Sequence, residues 1–491
     1  MTETLERPRQ AARPAASVRE RTPVRRDPSI DAIRVVLLVV VFVLHAMMVG
    51  VSVGPDGPVL ENALEGQAWF GPVSWVVQIM PLFFIVGGFA GLTHWRAMRA
   101  RGATAAEYVR ARIERLVRPA IALVAVVAAG LVTLSLAGVP GDVVAVAGFR
   151  IGQPLWFLAV YLGASALVPF LVGLHERAPV LTPLALLGGV VAVDLLRLST
   201  GIEPIGYANL ALVWLLVQQL GFHLADGAFD GLSRRTLGGL AAASLLLLAV
   251  LTATGPYPVD MLVNLNPPTF CLVVLGVAQL ALFQLVRPRI AAWVRERDAT
   301  RAISFVGERA MTVYLWHMPV LVGLAGLALA ANAAIGLPLP DPLSAGWWAS
   351  RPIWLLVAGV AVAGAVLLFA RFERGRRAPR GEGAARVRPV SGRAAAFDAV
   401  LAVTGVVVLL VAGFGPLPSL IALALLGSAL LGSTVLGSAL FSDRRRRPVD
   451  AARGSSVARR SAGSTARAVR RRAGAPRSRS RRRSAGTPRA A

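Results

Sequence analysis

The chain has 491 residues, of which 55% are hydrophobic and 16% charged, and its mean hydropathy is +0.63. This composition excludes a soluble protein of such length, because too few polar side chains remain to cover the surface. All 52 basic residues are arginine, and the formal net charge is +26. Because the arginines cluster in alternate loops, the charge indicates membrane topology rather than nucleic-acid binding.

Apolar runs of about 20 residues, the length that crosses a bilayer, recur along nearly the whole chain. They predict an all-α fold, a polytopic transmembrane helical bundle. The first ten predicted spans form a core over residues 29–371, and two more form a C-terminal transmembrane hairpin over 398–441. The spans are 31–52, 72–92, 119–138, 154–174, 180–197, 207–225, 236–254, 268–286, 303–330, 351–371, 398–414 and 417–441.

The loops between these spans differ in charge according to the side of the membrane. The arginine-rich loops all fall on one side, and they are 93–118, 175–179, 226–236, 287–302 and 372–397. The loops on the other side carry proline, glycine and acidic residues. This asymmetry predicts a multi-pass protein of the bacterial cytoplasmic membrane with both termini in the cytoplasm.

Three polar segments flank or interrupt the predicted spans. Residues 1–28 and 442–491 are arginine-rich and poor in apolar side chains, so we expect them to be disordered cytoplasmic tails. Residues 372–397 form a basic cytoplasmic linker. The expected partners of the tails are anionic membrane lipids. We expect no specific nucleic acid, because the tails lack an aromatic platform for bases.

The first span carries two ionisable side chains, Arg34 and His45. Eleven residues make just over three helical turns, so both lie on one helix face, about 16 Å apart along the axis. Arg34 is therefore expected at the cytoplasmic mouth and His45 near the middle of the membrane. Intramembrane ionisable residues are often functional, although a surface anchor and a hydrogen-bonded structural histidine would also fit.

Two further groups of polar residues are candidates for a site. Arg112 and Arg115 are three residues apart and share a face at the start of the third span, where they could bind phosphate or only anchor the topology. His317 is expected at nearly the same membrane depth as His45, and could be structural. None of the five histidines pairs with another at metal-ligand spacing, so no metal site is predicted.

Several stretches together resemble the bacterial integral-membrane acyltransferases of acyltransferase family three. The resemblance covers roughly residues 29–371, and the order and spacing of the stretches make it specific. The stretches are the pattern Asp31, Arg34, His45; "MPLFFIVGGFAGL" at 80–92; "ARIERLVRP" with Arg112 and Arg115; "PLWFLAVYL" at 154–162; and "TVYLWHMPVL" at 312–321.

The resemblance implies transfer of an acyl group, commonly acetyl, to a hydroxyl. The donor would be acyl-coenzyme A, used as a co-substrate, with no permanently bound cofactor. The acceptor would be a hydroxyl-bearing sugar, lipid, cell-envelope polymer or secondary metabolite. Arg112 and Arg115 would hold the phosphates of coenzyme A. His45 would act as general base or as a nucleophile that carries the acyl group.

The resemblance also assigns supporting roles. Arg34 would clamp the donor or stabilise charge, and Asp31 would orient Arg34. The pocket would be lined by Trp156, Tyr161, Tyr314 and His317. The second-helix motif usually ends Ser-Gly-Phe, but here Gly87 replaces the serine, so a hydroxyl that could position substrate is missing.

Two other classes of protein fit the polar residues within the spans. A transporter or flippase would use His45 and the arginines to relay protons or to bind an anionic or acylated substrate. A non-catalytic scaffold would be tethered through its arginine tail. No internal repeat, which would favour a transporter, is visible in the sequence.

Overall fold

The computed structural model describes residues 27–54, 57–373 and 391–442, without the side chains of 57–58 and 433–442. The predicted tails and most of the predicted linker lie outside the described residues. Within them, eleven helical segments are long and apolar enough to cross a membrane, and a shorter apolar helix follows at Pro416–Gly432. The protein is therefore an all-α, multi-pass membrane bundle.

Most of the described helices follow one another with short connections, and the longer connections are 49–69 and 254–269. Two 3₁₀ helices, Glu203–Ala208 and Ala370–Phe372, accompany the α-helices. The α-helices are α1 (Pro28–Met48), α2 (Phe70–Val77), α3 (Met80–Arg99), α4 (Ala105–Leu136), α5 (Gly141–Gly152), α6 (Leu155–Ala166), α7 (Val168–Arg177), α8 (Leu181–Thr200), α9 (Asn209–Ala225), α10 (Arg234–Ala253), α11 (Phe270–Glu296), α12 (Thr300–Gly307), α13 (Ala310–Ile335), α14 (Ala345–Phe369), α15 (Gly392–Ala412) and α16 (Pro416–Ser442).

Each predicted span contains a helix, but four of them end or break differently. The predicted span 72–92 is divided into α2 and α3. The first span ends at Met48, and the chain then forms an antiparallel hairpin of β1 (Val49–Gly54) and β2 (Gly57–Asn62). The predicted span 154–174 is divided into α6 and α7, where Pro169 begins a new helix. The predicted span 303–330 is divided into α12 and α13.

Two glycines let α3 and α9 pack with their backbones in contact. A Cβ atom on Gly221 would clash with the carbonyl oxygen of Ile85, and one on Gly88 would clash with the carbonyl oxygen of Gln218. Small residues at such crossings allow close van der Waals packing between membrane helices. This contact fixes α3, which forms one wall of the cavity described below.

The end of the bundle where α1 begins is held by ion pairs, and we call it the arginine-rich end. Asp27 caps α1 by accepting from the Ser29 N–H at 2.9 Å, and it also accepts from Arg287 of α11 at 2.6 Å. Burial alone would raise the pKa of the Asp27 carboxyl, but the hydrogen bonds from Ser29 and Arg287 outweigh it and lower the pKa. This anchors the start of α1 to α11.

A second network at the same end joins α3 to the ends of α7 and α9. Arg96 pairs with both Glu176 and Asp226, and Arg99 donates to Glu176 at 2.8 and 2.9 Å. The buried ring of His175 contacts Asp226 at 3.1 Å. Hydrogen bonds from Arg99 and Arg96 hold the pKa of Glu176 below its ordinary value.

The first helix of the C-terminal hairpin packs on the core. Its buried stripe includes Ala402, Val406 and Leu409, and it faces α4 and α6. Phe414, just after α15, packs against the glycine face of α5, where a Cβ on Gly148 would lie 3.4 Å from the Phe414 Cβ. The helix is therefore part of the bundle rather than a detached anchor.

Candidate active site

One face of α1 lines a cavity inside the bundle. The lining residues include Arg34, Leu38, Val41, His45 and Met48, which recur every three or four positions along the helix. The cavity measures about 150 Å³, taken as the space open to the centre of a water molecule. Arg34 and His45 therefore share a face, as their spacing predicts, and stand at different depths of one cavity.

Three guanidinium groups line this cavity, those of Arg34, Arg112 and Arg115. Arg112 donates from Nε to the Tyr108 hydroxyl at 3.2 Å, and its Cζ lies 5.2 Å from the centre of the Tyr108 ring. The guanidinium groups of Arg34 and Arg115 bond no side chain or carbonyl among the described residues. Their N–H donors are therefore available to an anionic ligand.

Glu373 is a cavity residue that the sequence analysis did not select. Its buried carboxylate accepts hydrogen bonds from the backbone N–H of Thr312 at 3.0 Å and from the Thr312 hydroxyl at 2.7 Å. It thus caps the first turn of α13. Burial raises the pKa of the Glu373 carboxyl, although Thr312 and the charge of Arg115 oppose this.

The two membrane histidines lie in contact. Nδ1 of His45 is 2.9 Å from the Val41 carbonyl oxygen and 3.3 Å from Nε2 of His317, and the ring centres are 4.9 Å apart. Nδ1 of His317 is 2.5 Å from the carbonyl oxygen of Tyr314. Because a carbonyl oxygen only accepts, we assign the proton of each neutral ring to Nδ1.

This assignment leaves Nε2 of His45 with a free lone pair. In the described part of the chain no group hydrogen-bonds that atom. His317, only 1% exposed, lies behind the His45 ring and presents its own bare Nε2 to the Nδ1–H of His45. His45 is thus held in one tautomer and orientation, with the basic nitrogen directed away from its partners.

Aromatic side chains of α6 and α13 also line the cavity. Trp156, Tyr161 and Tyr314 all line the cavity, together with Phe157. Tyr314 donates its hydroxyl to the carbonyl oxygen of Pro154 at 2.5 Å, which ties α13 to the start of α6. Of the pocket residues predicted from sequence, these three lie at the cavity surface, while His317 lies behind His45.

Two residues singled out from the sequence, Asp31 and Gly87, do not line the cavity. The side chain of Asp31 forms no hydrogen bond or ion pair with Arg34. Gly87, which replaces the usual serine of the motif, faces the cavity residue Tyr161. A Cβ at Gly87 would lie 3.3 Å from the Tyr161 Cε2 and 3.9 Å from its hydroxyl oxygen.

A second cavity of about 260 Å³ adjoins the first at His45. It extends to the β-hairpin and is lined by polar side chains that include Glu61, Asn62, Glu65 and Arg150. The residues that line both cavities are His45, Met48, Pro154, Trp156, Leu262 and Leu265. His45 therefore stands where an arginine-lined cavity from one end meets a polar cavity from the other.

Among the described residues, no three His, Cys, Asp or Glu side chains lie together as a metal site would require.

Comparison with known proteins finds no match among curated proteins and none among solved structures. The sequence model of acyltransferase family 3, described as an acyltransferase domain, matches residues 27–370. That match takes in more than half of the chain and includes α1 to α14. The chain therefore belongs to this family of membrane acyltransferases.

Proposed function

We propose that this membrane acyltransferase is an O-acyltransferase that moves an acyl group, most simply acetyl, from acyl-coenzyme A to a hydroxyl. The position of His45 carries the proposal. It lines both cavities, so a donor in one and an acceptor in the other would meet at its ring. Its free Nε2 lone pair is the basic group at that junction.

The arginine-lined cavity suits the donor. Guanidinium groups bind phosphate oxygens through charge-assisted, often bidentate hydrogen bonds. Arg34, Arg112 and Arg115 would hold the phosphates of coenzyme A, and the pantetheine arm would run inward along α1. The axial offset of about 16 Å between Arg34 and His45 matches an arm of that order.

The chemistry at His45 is a balanced acyl transfer. Nε2 removes the proton of the acceptor hydroxyl, and the oxygen attacks the thioester carbonyl carbon. The carbon–sulfur bond breaks, the new ester forms, and the imidazolium returns its proton to the departing thiolate. His317 would keep the His45 ring in the reactive tautomer.

Direct transfer is favoured over an acyl-histidine intermediate. Two cavities that meet at one residue let both substrates bind together, so the acceptor oxygen can attack without a covalent stage on the enzyme. Protein incubated with radiolabelled acetyl-coenzyme A alone should then carry no label after rapid denaturation. A stoichiometric, histidine-linked label would instead assign His45 the nucleophilic role.

The orientation follows from the charge of the loops. We place the arginine-rich end in the cytoplasm, where acyl-coenzyme A is made, with both termini on that side of the plasma membrane. The arginine tails would contact anionic lipid there.

The test uses membranes that contain the full chain. They are given radiolabelled acetyl-coenzyme A, and the alkali-labile label in lipid, polymer and soluble fractions is counted with the released thiol. The parent protein should form alkali-labile ester. His45→Ala should form none, yet bind acetyl-coenzyme A normally. Equal ester formation by His45→Ala would refute the proposal.

A further inference from the structure

A large apolar groove lies between the core and the first helix of the C-terminal hairpin. It measures about 770 Å³, and its walls are formed mainly by α6, α9 and α15, with Phe149 and Gly152 of α5 at one end. The α6 wall is one helix face, with Trp156, Val160, Gly163 and Leu167 at intervals of three or four residues. All three helices belong to membrane-spanning segments, so the groove lies within the bilayer.

The groove has the length of a lipid chain in one leaflet. From Trp156 to Leu167 the α6 wall runs about 16 Å along its axis, close to half of the ~30 Å hydrocarbon core. The outer rim is open: Val407 and Val411 of α15 line the groove and are 39% and 83% exposed. A hydrocarbon chain can therefore enter from the surrounding lipid.

The groove adjoins the polar cavity at His45. Gln153, Trp156 and Asn266 line both the groove and the second cavity. Trp156 lines the arginine-lined cavity as well, so this residue borders all three spaces. A molecule could thus lay an apolar part along α6 and α15 and extend a polar part past Trp156 to His45.

The polar part of this path matches a hydroxylated headgroup. Carboxylate and amide side chains, Glu61, Asn62, Glu65 and Gln153, line the second cavity. Such groups accept and donate hydrogen bonds to several hydroxyls at once. An apolar groove beside a cavity that can bind several hydroxyls suits an amphiphile with a sugar or polyol headgroup better than a free sugar.

We propose that the acceptor is a membrane lipid with a sugar or polyol headgroup, and that the C-terminal hairpin supplies one wall of the site for its hydrocarbon chain. This proposal rests on the acyl transfer proposed above and narrows its acceptor. It gives α15, which lies outside the matched family region, a part in substrate binding. An ordinary phospholipid without affinity for the polar cavity is the competing occupant.

A photolabelling experiment distinguishes these occupants. The full-length protein is placed in phosphatidylcholine nanodiscs with an alkyl glucoside that carries a diazirine in its chain, and adducts are mapped after irradiation. Adducts should lie on α6, α9 and α15. Excess unlabelled alkyl glucoside should remove them, whereas excess phosphatidylethanolamine, whose headgroup has no hydroxyl, should not. Adducts spread over α14, or equal competition by both lipids, would overturn the proposal.

A matched pair of variants tests the groove itself. Gly163 lines the groove with open space where a Cβ would stand, so Gly163→Phe fills the groove without a backbone clash. Gly364 of α14 is exposed and equally unobstructed, so Gly364→Phe is the control. Gly163→Phe should remove most of the adducts, and Gly364→Phe should not reduce them. Unchanged labelling in Gly163→Phe would refute the assignment.

Ester formation separates this proposal from the proposed function. Gly163→Phe should bind acetyl-coenzyme A like the parent but lose most label transfer into the lipid fraction. If the parent acetylates a water-soluble sugar and Gly163→Phe does so equally fast, the lipid acceptor is refuted while acyl transfer stands. If the parent transfers no acetyl group at all, the proposed function fails, and photolabelling still decides the occupant of the groove.

Discussion

Arg115 offers the sharpest test of the donor site, because it lines the cavity and its guanidinium group forms no hydrogen bond or ion pair with another described residue. Replacing it with glutamine removes one charged donor to coenzyme A phosphate. Losing a hydrogen bond to a charged group costs about 1.5–3 kcal/mol, which is about 10- to 160-fold in affinity. Arg115 is exposed to water, so we expect the lower end, about tenfold.

The assay is calorimetric binding of acetyl-coenzyme A to the purified protein, with the Michaelis constant measured alongside. Arg115→Lys should recover only part of the affinity, because an ammonium keeps the charge but loses the planar fork. Rising salt should weaken binding more in the parent than in Arg115→Gln.

Arg118 provides a matched control on the same helix. It pairs with Glu114 at 3.2 Å and does not line the cavity. Arg118→Gln should therefore leave donor affinity unchanged. If both variants bind acetyl-coenzyme A as the parent does and only lower the amount of protein in the membrane, these arginines are topology anchors and the donor assignment is wrong.

Four further outcomes are expected. His317→Gln should lower kcat by about tenfold at an unchanged Michaelis constant for the donor, since one orienting hydrogen bond is lost; a change in donor binding alone would contradict this. Gly221→Ala should destabilise the protein by about 3 kcal/mol in a denaturant titration, whereas Gly130→Ala, where the new Cβ meets nothing, should not. Glu176→Gln should be less stable than the parent at pH 7. Because the folded-state pKa of Glu176 is below its ordinary 4.5, that difference should shrink as the pH falls below 4.5, and a pH-independent difference would count against the ion pairs. Truncation after Ser442 should keep turnover and weaken binding to anionic vesicles, as measured by flotation; a truncated protein that inserts but is inactive would assign the tail another role.

The helical periodicity of the sequence was sufficient to predict the bundle and the face of α1. Arg34 and His45 were placed on one line because the helix repeat is local and regular. His45 and His317 were expected at similar depth, but their contact depends on how α1 and α13 pack. Packing of this kind depends on contacts between helices that are distant in sequence. The spacing of residues within one helix gives no information about those contacts.

Other features could not be read from the periodicity. Glu373 lies in a segment rich in arginine, for which the sequence predicts a linker. That Glu373 caps α13 follows only from the hydrogen bond that Thr312 donates to it in the folded protein. The β-hairpin follows the first span without a polar break, so hydropathy alone predicts the end of that span and a loop where the two strands lie. The turn sequence "GPDGP" at 54–58 was the available signal.

Gly87 stands where the family motif usually has serine, and the side chain of Tyr161 lies next to this position. A Cβ on Gly87 would lie 3.3 Å from Cε2 of Tyr161, so a side chain there would need the Tyr161 ring to shift slightly. The lack of a side chain at Gly87 lets the Tyr161 ring pack against α3 while it lines the cavity beside the arginines. A hydroxyl is therefore still present next to this position, on a rigid aromatic ring from α6 rather than on a serine from α3.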